Sequence, residues 1–349
     1  MMKGCVGTAV SLAARKARRR SAGPAGVGFC LALAALTGGP AGAAPPDASA
    51  PEPRIFAPGE ISGPGNEGAP TFTPDGRTLF FEQTNGSWTT IVESHLIRGH
   101  WSKPALAPFA DRWSSQQPTL SPDGRVLIFE STRPDPALGK PHTSAHLYRV
   151  DRTAAGWSAP VELPATVNIA RRVFKPSIAA NGDLYFMADV GHDIGAPPQW
   201  RLHVARYVGG HYAQAEQLAF SDGQYSDVDP YIAPDQRYLI FSARDRPPFK
   251  DGHEHLFVTY RRGTGWSAPE PLRYAGDQSG ADDGEAQVGP DGRTLYFTSG
   301  RVVNVAPDRS RVQVVADLAR MALWNNGNSN VWTVPLPDAA QARSPSRRG

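Results

Sequence analysis

Carboxylates, basic side chains and histidines are the groups in this chain that could do chemistry, and the charged ones gather at five places. Asn66-Glu67-Gly68-Ala69, Ser115-Gln116-Gln117, Arg171-Arg172-Val173-Phe174-Lys175, Asp227-Val228-Asp229 and Asp283-Gly284-Glu285 each stand directly before a copy of one recurring phrase. Carboxylates on separate segments could act as general acid and base. Set opposite a basic cluster, the same groups could instead recognise a ligand by charge. The candidate binding residues are therefore Glu67, Gln116, Gln117, Arg171, Arg172, Lys175, Asp227, Asp229, Asp283 and Glu285, with the acids facing Arg171, Arg172 and Lys175. Glu67, Asp227 and Asp283 recur three residues before the phrase, a placement that equally suits a structural acid at a strand start.

Histidines invite a metal reading at His253-Glu254-His255 and at His142 with His146. His146 and His255 hold one repeat position, immediately before Leu-aromatic, where a later copy has Asn330, so a structural polar residue explains both more simply. Neither a Gly-rich phosphate loop nor a Gly-x-Ser-x-Gly elbow is present, which leaves a serine nucleophile unsupported. Neither a metal nor an organic cofactor is expected.

The elements that must position these groups are repeats. Pro70-Thr-Phe-Thr-Pro-Asp-Gly-Arg-Thr-Leu-Phe-Phe81 returns at Pro118–Phe129, Pro176–Phe186, Pro230–Phe241 and Ala286–Phe297, at offsets of 48, 58, 54 and 56 residues. Each phrase predicts two strands joined by a tight turn, because Asp-Gly or Asn-Gly supplies the positive φ that such a turn needs. Leu79-Phe80-Phe81 and its counterparts are apolar on both strand faces, as a sheet covered on both sides requires. Two further strands complete each unit, as in His146-Leu147-Tyr148-Arg149-Val150 followed by Trp157-Ser158-Ala159-Pro160, and four strands make a propeller blade. The closing strand is weaker in the third unit, at His211-Tyr212-Ala213. The fifth unit reaches Asn330-Val331-Trp332-Thr333-Val334 and lacks a fourth strand. Ile55–Ile61, before the first copy, resembles the missing piece and is expected to pair with 330–334 and close the ring. The fold class is therefore all-β, a five-bladed β-propeller of four-stranded antiparallel blades closed by an N-terminal strand.

Outside the repeats, Arg15-Lys16 and Arg18-Arg19-Arg20 precede the apolar run Val27–Leu36, and Ala41-Gly42-Ala43-Ala44 offers small residues for cleavage. Residues 1–44 read as a secretory signal, residues 45–53 as a linker, 54–337 as one propeller domain and 338–349 as a disordered tail. Removing the six basic residues of the signal takes the formal net charge from +3 to −3, which withdraws the electrostatic case for nucleic acid. Cys5 and Cys30, the chain's two cysteines, both leave with the signal. The apolar run is too short for a permanent span, so a periplasmic or secreted monomer is expected. An insertion at 301–328 breaks the rhythm of the last unit. Val312–Trp324 carries Val314, Leu318 and Met321 at helical spacing with Gly327 as a stop, and predicts a short helix that covers a blade edge or outer face, or serves as a lid over the channel mouth.

The repeated Pro-Asp-Gly-Arg phrase resembles the WD40-like repeat of TolB and its relatives over nearly all of 55–337. That resemblance implies a propeller whose loops bind ligands at a channel mouth, without the N-terminal α/β domain of TolB itself. A non-catalytic scaffold for a cell-envelope protein, peptide or glycan is the favoured function. The alternative is a carbohydrate-active enzyme, a glycoside hydrolase or polysaccharide lyase, using channel carboxylates. Against the alternative, the acids fall in adjacent units four, five and one, with no aromatic sugar platform evident beside them.

Overall fold

Each phrase folds as two antiparallel strands around its turn. In the first copy Phe72 pairs with Leu79 and Thr71 with Phe80. Asp75 fixes the turn, its Oδ1 accepting from the Thr73 hydroxyl at 2.6 Å and the Arg77 N–H at 3.0 Å. Gly76 takes the left-handed conformation there, with φ of 68°. Asp123 repeats the arrangement with Ser121 and Arg125. This is a computed structural model, which describes residues 51–134, 145–191, 196–274, 280–302, 307–324 and 326–337. The expected signal, the whole tail at 338–349 and His142 lie outside the described residues.

Successive phrases build five antiparallel blades. Their innermost strands are Asn66–Phe72, Ser115–Leu120, Val173–Ile178, Ser226–Ile232 and Asp283–Val288. The second strands, beginning with Thr78–Thr84, and the third, beginning with Thr89–Ile97, lie successively outward. The outermost strand is split in blade one into His100–Trp101 and Ala105–Leu106, both paired to the third strand. Blade three departs from this plan, because Tyr207–Val208 and His211–Tyr212 form their own hairpin and Glu216–Gln217 completes the sheet.

Both faces of the middle strands are buried because a core lies between each pair of neighbouring blades. Phe129 and Phe80 share the core between blades one and two, Ile128 and Phe186 the next. Phe241 and Tyr185 fill the third, and Phe297 and Ile240 the fourth. The fifth, where the ring closes, contains four buried apolar residues among those described, Ile61, Leu79, Phe81 and Val92. Phe56 supports it with edge-to-face contacts to Phe72, Trp101 and Tyr296 at 5.9, 5.9 and 5.1 Å.

Closure is by the N-terminal segment, in a register shorter than the sequence suggests. Arg54 pairs with Thr333 and Ile55 with Trp332, and the Phe56 N–H donates to Val331 at 2.9 Å. The chain then turns at Ala57, which has φ of 42°, and the N–H groups of Glu60 and Ile61 donate to its carbonyl. Residues 57–61 therefore do not extend the strand, and Ile61 instead plugs the closing core.

In the 301–328 segment an α-helix spans Arg311–Met321, begun by a capping box between Ser310 and Gln313. It stops at Ala322, five residues short of Gly327. None of its residues is buried, so it does not cover a blade edge. The return to the last strand is tied down, with Trp324 edge-to-face on Trp332 at 5.8 Å and the Asn326 and Asn328 amides donating to the Pro64 carbonyl. No helix among the described residues is long and apolar enough to cross a membrane.

Candidate functional site

One residue of each innermost strand leaves the extended conformation. Ala69, Gln117, Lys175, Asp229 and Glu285 have φ of 47°, 53°, 45°, 53° and 53°. In every blade the register slips at this point. These are β-bulges with a left-handed residue that is not glycine, a conformation that persists only where surrounding contacts impose it. The contacts come from the blade before. The Ala69 N–H donates to Glu285 Oε2 at 2.8 Å, the Lys175 N–H to Gln117 Oε1 at 2.9 Å, and the Glu285 N–H to Asp229 Oδ2 at 3.2 Å. Three ring side chains, Glu285, Gln117 and Asp229, thus hold the next blade's strained backbone.

Two ring positions cannot play this part. Ala69 has no acceptor, and the Gln117 N–H turns to Glu82 Oε2 on the neighbouring strand at 2.9 Å. Lys175 carries an ammonium, a donor only, so the pattern breaks between blades three and four. A further bond spans blade one, with Gln117 Nε2 donating to Glu285 Oε1 at 3.1 Å. Glycine precedes the ring residue where a carboxylate leans in. A Cβ on Gly68 would lie 2.6 Å from Glu285 Oε2, and one on Gly284 would lie 2.9 Å from Asp229 Oδ2.

Electrostatically the ring holds more carboxyl groups than charge compensation. Burial pushes the Glu82 carboxyl well up, with repulsion from Glu285 adding to it and the Gln117 N–H and Lys175 opposing. Asp229 is pushed up to about 8, by burial first and by Glu285 and Glu254 after it. Glu130, on the second strand of blade two, is raised by burial and by Glu82. Lys175 is 2% exposed, and its ammonium makes no hydrogen bond or ion pair among the described residues.

Of the ten residues singled out in the sequence, the ring brings together Gln117, Lys175, Asp229 and Glu285. Gln116 pairs with Glu130 across the first two strands of blade two, beside the bulge. The three acids earlier in the strand stand apart from the ring. Asp227 forms a buried pair with Arg246 at 2.8 Å, Asp283 binds Arg301 and the Tyr274 hydroxyl, and Glu67 accepts from the Gly63 N–H and the Gln83 amide. Arg172 pairs with Asp189 at 2.6 Å and stacks over Trp200, while Arg171 is exposed. Glu82 and Glu130 escape a search of the segments before each phrase because they come just after its final aromatic. Their signal is that single position, where blades three, four and five carry Met187, Ser242 and Thr298. His255 stacks on Phe249 at 3.7 Å and bonds Asp251, and His146 bonds Glu162 at 2.6 Å. Among the described residues no group of three or more His, Cys, Asp or Glu is arranged to hold a metal ion.

The loop end of the channel, where innermost strands begin and second strands pass to third, carries an aromatic from every blade. They are Trp88, Trp113, Trp200, Tyr225 and Trp324, none of them buried. Three lie under guanidinium groups, Arg112 on Trp113, Arg172 on Trp200 and Arg246 on Tyr225. Trp200 and Trp324 also pack against inter-blade cores, as Trp101, Trp157 and Trp266 do at the opposite end.

Solved structures with this fold include a protein described as TolB from Agrobacterium tumefaciens, 13% identical, which matches 78% of this chain and 91% of its own with a TM-score of 0.45. The chain resembles the TolB propellers. TolB of Acinetobacter baumannii is 12% identical over 78% of this chain, with a TM-score of 0.42, and the match spans 54% of its length. A thermostable family-43 glycoside hydrolase matches 70% of the chain and 86% of its own at 12% identity and a TM-score of 0.46. At these identities the likeness is one of fold, and the propeller's blade count rests on its own strand order. No protein-family model and no curated protein matches the sequence.

Proposed function

We propose that this is an exported, non-catalytic recognition propeller that binds a protein or peptide of the cell envelope at the loop end of its channel. The observation that carries the reading is the composition of that end: Trp88, Trp113, Trp200, Tyr225 and Trp324 with Arg112 and Arg171, contributed by five blades. Trp88 is exposed and the other four aromatics are half-buried; surface tryptophan, tyrosine and arginine are the residues that anchor protein interfaces. The ring beneath is a floor, since Glu285, Asp229, Gln117 and Glu82 are engaged by backbone N–H groups of the next blade. The basic and apolar N-terminal segment supports export, with residues 1–44 removed and a monomer of net charge −3 left behind. Capture from envelope extract tests the reading. Trp88→Ala with Arg171→Glu is expected to reduce recovery of the retained partner at least about tenfold, with melting unchanged. Equal recovery would refute it.

A carbohydrate-active enzyme is the second reading, and one observation favours it. Glu82, Glu130 and Asp229, on three different blades, all have raised carboxyl pKa values, as a general acid requires. Release of reducing sugar or unsaturated ends from an envelope or plant polysaccharide, abolished by Glu82→Gln or Asp229→Asn, would establish it over the scaffold reading.

A further inference from the structure

Beyond the ring of left-handed residues, the innermost strands run on to the turn end of each blade. At the turn end a cavity of about 360 Å³ is walled by all five blades. Each innermost strand adds an apolar residue at one equivalent position, Phe72, Leu120, Ile178, Ile232 and Val288. The hydroxyls between them are already engaged, with Thr119 Oγ1 donating to the Pro176 carbonyl at 2.6 Å and Ser177 Oγ accepting from the Ile232 N–H at 2.9 Å. The neighbouring polar side chains thus help hold blade to blade, and the five hydrocarbon groups remain to meet an occupant.

Arg237 supplies the contrasting chemistry. It lines the same cavity, and its Nε is buried without a hydrogen-bond partner. Asp235, which also lines the cavity, meets this Nε only as an ion pair, without hydrogen-bond geometry. That carboxylate lies 3.5 Å away, while its other oxygen accepts from the Arg237 backbone N–H at 3.2 Å. A buried donor left unmade costs more than a typical hydrogen bond contributes, and a guanidinium edge matches a carboxylate in a two-point fork.

We propose that the turn-end cavity binds a small amphipathic carboxylate, its acid group on Arg237 and its hydrocarbon among Phe72, Leu120, Ile178, Ile232 and Val288. The size fits, being near the lower end of small-molecule sites, about 300 to 1,000 Å³, and too small for a folded partner. This site lies at the opposite end of the channel from the proposed recognition surface and stands independently of it.

Calorimetric titration of the mature chain with octanoate and with 4-phenylbutyrate, using 1-octanol as the uncharged control, tests the assignment. Saturable one-to-one binding of an acid, with a Kd of about 1 mM or tighter, is expected. Arg237→Gln should weaken the acids at least about tenfold while leaving 1-octanol unchanged. Val288→Phe, which fills the cavity, should abolish all binding. Because that variant could disturb the fold, methyl NMR of the wild type gives a second measurement. Octanoate should shift the signals of Leu120, Ile178 and Ile232 and leave those of Val314 and Leu318 in place. Absence of saturation, equal affinity in Arg237→Gln, or shifts confined to the loop end would each overturn the proposal.

Discussion

Gln117 joins three blades through one amide. Its oxygen holds the Lys175 N–H and its nitrogen reaches Glu285, while its own N–H is held by Glu82. Gln117→Ala removes both side-chain bonds at a residue 7% exposed and leaves a strained backbone N–H without its acceptor. A loss of about 1 to 3 kcal/mol is expected, read as a melting temperature several degrees lower, whereas Arg171→Ala at the exposed rim should change melting by less than about 1 °C. Asp229 sets a pH dependence at the same scale. Its folded pKa near 8 lies above the ordinary value of 3.8, so the folded state binds the proton more tightly than the unfolded chain. Its contribution is complete below about 3.8, declines as pH rises, and is gone above about 8. Glu82, Glu130 and Glu254 are shifted the same way by burial. Asp75, Asp183 and Asp189 are held low by hydrogen bonds that outweigh their burial, and they oppose this trend only below their ordinary range. Melting should therefore be higher at pH 5 than at pH 8.5, with a flatter profile in Asp229→Asn. A flat wild-type profile would contradict the assignment.

Two elements bear unequal weight in this propeller. The segment 54–61 is short, yet it supplies a paired strand, the Phe56 ring against Phe72, Trp101 and Tyr296, and Ile61 in the smallest inter-blade core. Deleting it uncovers the edge of Asn330–Pro335 as well as the closing core. Ile61→Ala alone should cost about 2 to 5 kcal/mol, and an unchanged denaturation midpoint would show that the ring is not held closed there. The helix Arg311–Met321 is the opposite case, because it has no buried residue. Its removal, with Ser310 joined to Trp324, should leave melting within about 1 °C, since exposed substitutions away from packing contribute little. Repeats, turns and blade count were legible in the sequence because Asp-Gly turns and doubly apolar strands each have a direct signature. The length of the closing strand was not, since Ile55–Ile61 has the composition of a strand but turns at Ala57. The ring was half legible. Four of its five residues precede proline, a context that normally keeps the backbone extended, so nothing in Gln117-Pro118 or Asp229-Pro230 announces a left-handed bulge. Glu82 and Glu130 read simply as the ends of buried strands.

At the scale of the whole molecule, the channel is a tube closed at its middle by a polar ring. Its loop end presents an aromatic from every blade and guanidinium groups from blades two, three and four, and its turn end a small pocket to which each blade adds an apolar residue. Charge alone does not separate recognition from catalysis, because the same carboxyl groups that hold neighbouring blades together also have the raised pKa values of an acid catalyst. Location separates them. Hydrogen exchange on the propeller with its captured partner bound measures where contact is made, and new protection is predicted at 85–88, 111–114, 196–200 and 222–225. Protection confined to the turns at 74–76, 122–124 and 290–292, with the loop end exchanging as in the free protein, would contradict recognition at the loop end.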